Sequence, residues 1–199
     1  MLNQIKVPPQ QSGTRGRELG KRLALTLLVV WVFGLSTGIY LGKSLEGKEE
    51  LIGDREHLGI VKSMISSSEK RIWIAVAWWK YDPDDPDDPA NDDILSLIEA
   101  KKRGVDVRVI IRDPEKDEMN RPAVELLLRE GIEVRFAEEL HSKIYLVDEK
   151  VLVTSMNETE SAQKYNLEAG ILTDDPSVVK EAERLFLKYW EISSEPDSQ

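Results

Sequence analysis

The sequence predicts an α/β protein in which a mixed sheet is flanked by helices and preceded by one N-terminal transmembrane helix. Apolar runs with strand character alternate with helical patterns between residues 54 and 192. An uncharged apolar run covers residues 23–42. The 199 residues include no cysteine, which excludes a disulfide framework and a thiolate metal site. The predicted division is a basic tail (1–22), a transmembrane helix (23–42), a linker (43–53), an α/β domain (54–192) and a polar tail (193–199).

The apolar run at residues 23–42 is long enough to cross a bilayer, because a helix of 20 residues rises about 30 Å. A cleaved signal peptide is the competing interpretation, but its apolar region is normally shorter and precedes a small-residue cleavage site. The flank before the run has one acid, Glu18, and a surplus of basic residues: Lys6, Arg15, Arg17, Lys21 and Arg22. Such a flank favours the cytoplasmic side. We therefore expect a single-pass membrane protein with its N-terminus in the cytoplasm and the α/β domain outside.

A stripe of glycines within this run could bring two membrane helices together. Gly34, Gly38 and Gly42 are spaced four residues apart and would lie on one helix face. Glycine is also common in membrane helices, so the stripe alone leaves both interpretations open.

The elements of the α/β domain are predicted from periodicity and from start and stop residues. Residues 54–67 have apolar side chains at helical spacing, and residues 71–77 form an apolar run typical of a strand. Asn91 is expected to cap a helix that Gly104 ends. The later predicted elements are a strand (105–112), a helix (122–130), a strand (132–136), a hairpin, a strand after Glu168 and a helix (176–192).

Residues 81–93 form an insertion rich in aspartate and proline after the first predicted strand. Prolines at 83, 86 and 89 oppose helix formation, and the aspartates repel one another, so most of the segment is expected to be an extended, solvated loop. Carboxylates at this density could also bind calcium, but the spacing lacks the glycine and terminal glutamate of an EF-hand loop.

Four polar residues of complementary chemistry flank the predicted hairpin. His141 and Lys143 precede the apolar run 144–147, and Ser155 and Asn157 follow the run 151–153. Alternate residues of a strand share a face, so each pair should point the same way and all four should converge at one end of the hairpin. Imidazole is a nucleophile near pH 7, lysine supplies positive charge, and serine and asparagine donate hydrogen bonds. This combination predicts a site for a phosphate ester.

These residues resemble the phospholipase D superfamily, whose pattern is H-x-K-x4-D-x6-G-S-x-N. His141, Lys143 and Asp148 match the first half at the same spacing, and Ser155-Met-Asn157 matches S-x-N. The chain departs from the pattern in two ways: Thr154 replaces the glycine, and the interval after Asp148 is one residue shorter. Asn166-Leu-Glu168 matches an N-x-E that the family tends to have on the next strand. The resemblance spans about residues 63–191 and implies a phospholipase D-like fold.

The resemblance implies a metal-independent phosphodiesterase without a cofactor. His141 would form a phosphohistidine, Lys143 and Asn157 would hold the phosphate oxygens, Ser155 would bond nearby, and Glu168 would orient the imidazole. Asp148 has odd spacing from Lys143, so we expect it to have a structural role at the hairpin turn.

The family mechanism uses two histidines, and this chain has one motif. The other histidine, His57, is expected to be a surface or helix-edge residue. A second copy would then supply the second imidazole, so the resemblance implies a homodimer whose two His141 residues face each other.

The charge balance bears on the substrate class. The formal net charge is −10, and the basic tail makes the rest of the chain more acidic still. Nucleic-acid binders generally have the opposite sign on their binding face, although Lys101, Lys102, Arg103, Arg108 and Arg112 could form a local basic groove. Membrane anchoring favours a phospholipid diester. A nucleic-acid endonuclease with the same site and an inactive membrane-anchored scaffold remain alternatives.

Overall fold

The computed structural model describes Lys21 and residues 23–35 and 47–196. Residues 23–35 are helical and their side chains are exposed. No helix among the described residues is both long and apolar enough to cross a membrane. The predicted transmembrane helix continues over residues 36–42, which lie outside the described residues, as do Gly38 and Gly42 of the glycine stripe. A second compact unit spans Gly47–Gln199.

The second unit contains seven strands and five α-helices within its described residues. In chain order they are β1 (Glu49–Gly53), α1 (Glu56–Ser67), β2 (Arg71–Ala75), α2 (Pro89–Lys102), β3 (Asp106–Ile111), α3 (Arg121–Arg129), β4 (Glu133–Phe136), β5 (Ile144–Val147), β6 (Lys150–Thr154), α4 (Glu160–Lys164), β7 (Ala169–Thr173) and α5 (Pro176–Ile192).

All seven strands form one sheet in the order β1-β7-β6-β5-β2-β3-β4. The pairs β2–β3 and β3–β4 are parallel, and the other pairs are antiparallel. The prediction of a mixed α/β sheet flanked by helices is therefore confirmed. This register brings the C-terminal ends of β2, β3 and β6 to the same sheet edge as the N-terminal ends of β5 and β7. We call this the motif edge, because the segments that contain the predicted site residues meet there.

Helices cover both faces of the sheet. On one face, α1, α2 and α3 bury a large apolar core that includes Ile65, Leu97 and Leu127. On the other face, α5 packs on β2, β5 and β6, where Phe186 stacks on Trp73 with ring centroids 5.2 Å apart. The three-residue spacing of apolar side chains in α5, together with Pro176 in its first turn and Asp175 as its cap, explains why this helix was predicted to the residue.

The structure corrects the prediction at two elements: α2 begins at a different residue, and β1 was not predicted. Asp88, not Asn91, caps α2: its carboxylate accepts from the Ala90 N–H, and Pro89 occupies the first turn. The predicted linker contains β1, which pairs with β7. The sequence of β1 mixes charged and apolar residues without a clear period. This segment therefore becomes a strand because it pairs with β7, not because its residues have a high strand propensity.

The aspartate- and proline-rich insertion is folded into turns, which corrects the prediction of an extended loop. The N–H of Asp85 donates to the carbonyl of Asp82, and the N–H of Asp88 donates to that of Asp85. The Asn91 Nδ2 group donates to the Asp82 carbonyl at 2.6 Å and to the Asp85 carbonyl at 2.8 Å. Asparagine and aspartate side chains stabilise consecutive turns in this way, which the composition alone did not indicate.

Candidate active site

His141 and Lys143 lie in the connection just before β5, not within the strand as the sequence suggested. The His141 side chain is exposed, and within the described residues its imidazole makes no hydrogen bond. Lys143 is only 5% exposed, and its Nζ donates to the His141 carbonyl at 2.8 Å. Burial lowers the pKa of Lys143, and the nearby carboxylate of Glu168 opposes that shift. The structure thus places an unbonded imidazole on a residue whose own backbone carbonyl holds a buried amine.

Ser155 and Asn157 follow β6 at the same motif edge. The Thr154 N–H donates to the Lys143 carbonyl at 3.1 Å, so the two halves of the motif pair directly. The Asn157 Oδ1 accepts from the Trp78 N–H at 3.3 Å. Its Nδ2 group makes no hydrogen bond to any described residue, which leaves it able to donate to an anion.

The Trp78 ring contacts three residues at or near the motif edge, and no sequence motif indicated this role. Its ring meets the His141 imidazole edge-on, with centroids 6.1 Å apart. Lys143 Nζ lies 5.9 Å and Arg112 Cζ 5.5 Å from the centroid of the same ring. The signal that could have identified it is its position: it follows β2 at the edge where β5 begins.

The Glu168 carboxylate is joined to the serine of the motif. It accepts hydrogen bonds from Ser155 Oγ and from Asn166 Nδ2, the latter at 3.2 Å. Ser155 Oγ in turn accepts from the Ala169 N–H at 3.1 Å. No hydrogen bond within residues 47–196 joins Glu168 to the imidazole of His141, the partner expected from the resemblance. In this structure Glu168 orients Ser155.

Asp148 lies at the hairpin turn, with a positive φ of 49°. Its carboxylate accepts from the backbone N–H groups of Glu69, Lys70 and Arg71 at 2.9–3.0 Å, where β2 begins. Burial alone would raise its pKa, but these hydrogen bonds, led by that of Arg71, lower it overall. The carboxylate therefore connects the hairpin turn to the start of a neighbouring strand, far from the motif edge.

Thr154, which replaces the glycine of the family pattern, contacts the second histidine. His57 lies in the first turn of α1, as the helix-edge alternative expected, but it is completely buried, so the surface alternative was wrong. His57 Nδ1 lies 2.9 Å from the Asp54 carbonyl, and Nε2 lies 2.7 Å from Thr154 Oγ1. Since a carbonyl can only accept, Nδ1 donates to Asp54, and the Thr154 hydroxyl lies within hydrogen-bond distance of both Nε2 and the Ala169 carbonyl, the latter at 3.2 Å.

Gly170 gives this pair its space. It lies opposite Thr154 on β7, and a Cβ there would come within 2.9 Å of Thr154 Cβ and 3.0 Å of His57 Nε2. The space for the Thr154 side chain and the His57 ring therefore depends on the missing side chain of the glycine opposite them.

A groove of about 470 Å³ adjoins His141. Apolar parts of Ala137, Leu140, Tyr189 and Ile192 line it, together with Glu138 and Glu139. A larger cavity of about 850 Å³ lies beside α3 and includes no motif residue, so it does not belong to this site. Among the described residues, no group of three or more His, Asp or Glu side chains is placed to hold a metal ion.

The family model described as "Cardiolipin synthase, PLD-like domain" matches residues 61–190, well over half of the chain. The mitochondrial cardiolipin hydrolase of Danio rerio is 37% identical over 103 residues, which cover 49% of this chain and 45% of that protein. The chain thus aligns with less than half of that relative's length.

Solved structures share the fold. Nuc from Salmonella typhimurium, a phospholipase D family member, superposes with a TM-score of 0.65 at 23% identity, covering 77% of this chain and all of that one. NucT from Helicobacter pylori gives 0.64 at 21% identity, covering 76% of this chain and all of the other. With the matched residues 61–190 containing every motif position, the chain belongs to the family of phospholipase D-like domains, as its motif predicted.

Proposed function

We propose that the chain is a phosphoric diester hydrolase of the phospholipase D type that works as a membrane-tethered homodimer without a metal ion. One observation carries the proposal: the exposed, unbonded imidazole of His141 shares the motif edge with Lys143 and with the free Nδ2 group of Asn157. A nucleophile, a cation and a neutral donor around one point suit an attack on phosphorus.

In the proposed reaction a ring nitrogen of His141 attacks phosphorus, and the bond from phosphorus to the leaving oxygen breaks. That oxygen takes a proton from His141 of a second copy of the chain. Water then gives a proton to the second imidazole as it attacks the phosphohistidine, which releases the phosphomonoester and restores His141. Lys143 and Asn157 hold the non-bridging oxygens. Glu168 accepts the hydrogen bond from Ser155 and so fixes the position of that side chain.

The burial of His57 supports the need for two copies. Both of its ring nitrogens are engaged, with Asp54 and Thr154, and the residue has no exposed surface. A single chain therefore offers one accessible imidazole, whereas the two-step reaction uses one as nucleophile and another as acid and base.

A phospholipid diester is the substrate class we favour. The groove beside His141 offers apolar surface for the non-reacting part of a lipid, and the Glu139 carboxylate in its lining repels a polyanion, whereas that of Glu138 is paired with Lys116. The uncharged run 23–42 would tether the chain to its substrate, and apolar side chains of residues 23–35 are exposed in the described helix, including Leu23, Trp31 and Phe33. The similarity to a mitochondrial cardiolipin hydrolase supports the same substrate class.

Nucleic-acid cleavage is the second candidate. The observation that favours it is the Arg112 guanidinium on the half-buried Trp78 ring, because a cation beside an aromatic ring suits a phosphate and an adjoining base; Arg112 Nε also pairs with Asp117 at 2.7 Å. An inactive scaffold is the third possibility from the sequence, and the intact set of motif residues counts against it.

The deciding assay uses the purified full chain in mild detergent with three substrates: phosphatidylcholine vesicles containing cardiolipin, single-stranded DNA and RNA. Each is tested with and without EDTA and beside His141→Asn. Cleavage that persists in EDTA and disappears in His141→Asn supports the proposal. EDTA-sensitive cleavage contradicts the metal-free reaction, and the absence of any cleavage supports a scaffold.

Two surface variants separate the substrate classes. Ile192→Ser removes apolar surface from the groove, and Arg112→Gln removes the cation from the Trp78 ring. For a lipid hydrolase, Ile192→Ser raises KM for vesicles about tenfold while Arg112→Gln has a smaller effect. The reverse order, measured on DNA or RNA, would identify a nuclease.

A further inference from the structure

Behind the motif edge lies a set of buried polar side chains that the proposed reaction does not use. Tyr145, Glu158, Gln163 and Asp93 are each no more than 2% exposed. They come from four elements: β5, the segment after β6, α4 and α2. We call them the buried polar layer.

Glu158 is the centre of this layer. One carboxyl oxygen accepts from the Tyr145 hydroxyl and the other from Gln163 Nε2. The same Nε2 donates to Asp93 Oδ2 at 3.0 Å. Tyr145 is two residues beyond Lys143, and Glu158 directly follows Asn157. The Tyr145–Glu158 hydrogen bond therefore joins the two halves of the motif within the buried interior.

The backbone of Glu158 also fixes Trp78. Its N–H donates to the Trp78 carbonyl at 3.0 Å, and its carbonyl accepts from the Lys80 N–H at 2.8 Å. The neighbouring Asn157 side chain accepts from the Trp78 N–H. A displacement of Glu158 would consequently move Asn157 and the tryptophan ring that contacts His141.

Burial and mutual repulsion both disfavour two negative charges in this layer. Burial raises the pKa of Glu158 well above its usual range, and the charge of Asp93 adds to this effect; burial also raises the pKa of Asp93. The surrounding charged groups give little compensation. Asp88, Asp92 and Glu168 are acids, and Lys62, a cation that lowers the pKa of Asp93, is exposed and paired with Asp92. One proton therefore stays within the Glu158–Asp93 pair near neutral pH.

We propose that Glu158 is a positioning residue that, in its protonated form, cross-links the His-Lys and Ser-Asn halves of the motif through Tyr145 and holds Trp78 against His141. The kinetic part of this inference rests on the proposed function, whereas its protonation part does not. Loss of the shared proton at alkaline pH leaves two buried carboxylates that repel each other and loosens the segment carrying Asn157.

Stability must then depend on pH with a definite sign. An acid whose pKa is raised in the folded state binds more protons there than in the unfolded chain. Its presence therefore makes stability fall as pH rises from the unfolded pKa, about 4.3, toward the folded pKa. A neutral amide of the same shape removes this dependence.

The test compares the full-length wild-type chain with Glu158→Gln, Glu158→Leu and the control Glu149→Gln, an exposed carboxylate at the hairpin turn. Thermal unfolding is measured between pH 5 and 9, and hydrolysis of bis(p-nitrophenyl) phosphate is measured over the same range. In Glu158→Gln, we expect Tm and kcat to fall less steeply than in the wild-type chain as pH rises toward 9. At pH 6, kcat of this variant should be close to the wild-type value. In Glu158→Leu, we expect kcat to fall about tenfold or more while KM changes less than about threefold.

The two readouts separate failure of this inference from failure of the proposed function. If Tm of Glu158→Gln follows the wild-type and Glu149→Gln curves at every pH, the protonated pair is wrong. If Glu158→Gln flattens the Tm curve but leaves the kcat profile of an active enzyme unchanged, Glu158 is structural only and the positioning role is wrong. If no variant hydrolyses any diester, the proposed function fails while the Tm comparison still decides the protonation state. Glu158→Gln keeps the test decisive even where Glu158→Leu does not fold.

Discussion

The motif edge and the buried polar layer share the two chain segments that contain the motif, but their side chains differ in exposure and in hydrogen bonding. At the motif edge, the His141 imidazole is exposed and makes no hydrogen bond to a described residue, and Asn157 keeps a free donor. In the buried polar layer, Glu158 has no exposed surface, and both of its carboxyl oxygens are bonded. The imidazole and the amide proposed to meet a substrate are unbonded, whereas each carboxyl oxygen of Glu158 is bonded, and Gln163 Oε1 is the atom of the layer that has no partner among the described residues. Changes at the motif edge should therefore cost activity, and changes behind it should cost stability first.

Replacing His141 should give the largest effect on activity. His141→Asn removes the proposed nucleophile from an exposed position, so kcat should fall by about 10³-fold or more while Tm stays within about 2 °C of wild type. Hydrolysis of bis(p-nitrophenyl) phosphate and thermal unfolding provide the two measurements. Substantial activity in the variant would contradict the assignment of the nucleophile, and a large drop in Tm would contradict the contrast between the two regions.

Trp78 connects the two regions and should show an intermediate effect. Trp78→Leu removes the ring that contacts His141, Lys143 and Arg112 but keeps the backbone N–H that binds Asn157. We expect kcat to fall about 10- to 100-fold, with Trp78→Phe recovering most of the loss because an aromatic ring remains. Equal activity of the two variants would show that the ring does not position the imidazole.

Thr154 should behave as part of the buried interior although it adjoins Ser155. Thr154→Val keeps the shape but removes the hydroxyl that bonds His57 and accepts from the Met156 N–H. The unfolding free energy should fall by about 1–3 kcal/mol, because buried partners lose their hydrogen bond, while kcat changes only a few-fold. Chemical denaturation measures the first quantity. A loss of kcat as large as that of His141→Asn would instead give Thr154 a direct role in the reaction.

Asp148 should give the smallest effect, confined to stability. Its folded-state pKa is lowered, so its contribution is present above the unfolded pKa, near 3.9, and is lost as pH falls toward the folded value. Asp148→Asn should lower the unfolding free energy by about 1–2 kcal/mol at pH 7, and the difference from wild type should shrink below about pH 4. This acid-side dependence is opposite in sign to that expected of Glu158. A difference that stays constant from pH 7 to pH 3 would contradict the role of the charged carboxylate.

The residues of the motif edge could be predicted from the sequence, whereas the contacts of the buried interior could not. His141, Lys143, Ser155 and Asn157 stand at fixed spacings around two apolar runs, and a strand pair necessarily brings such positions together. Asp148 was placed at its turn for the same reason. The hairpin and α5 were predicted because period and capping agree there.

Other features depend on contacts between residues distant in sequence. His57 and Thr154 are 97 residues apart, and Gln163 and Asp93 are 70 apart, so no local pattern shows that they meet. A polar residue in a short segment such as Glu158 is expected at the surface, and only the fold shows it buried and paired. The partner of Glu168 was missed for a similar reason, because which neighbour a carboxylate bonds depends on distances of an ångström or two.

Direct detection of the phosphohistidine tests the central claim most sharply. The full-length wild-type chain and His141→Asn are each mixed with excess bis(p-nitrophenyl) phosphate, quenched in alkaline denaturant within the first turnover, digested and analysed by mass spectrometry. We predict a p-nitrophenyl phosphate adduct on His141 in the wild-type chain that decays in acid, and no adduct in the variant. An active wild-type enzyme without this adduct, or with the adduct on another residue, would contradict His141 as the nucleophile.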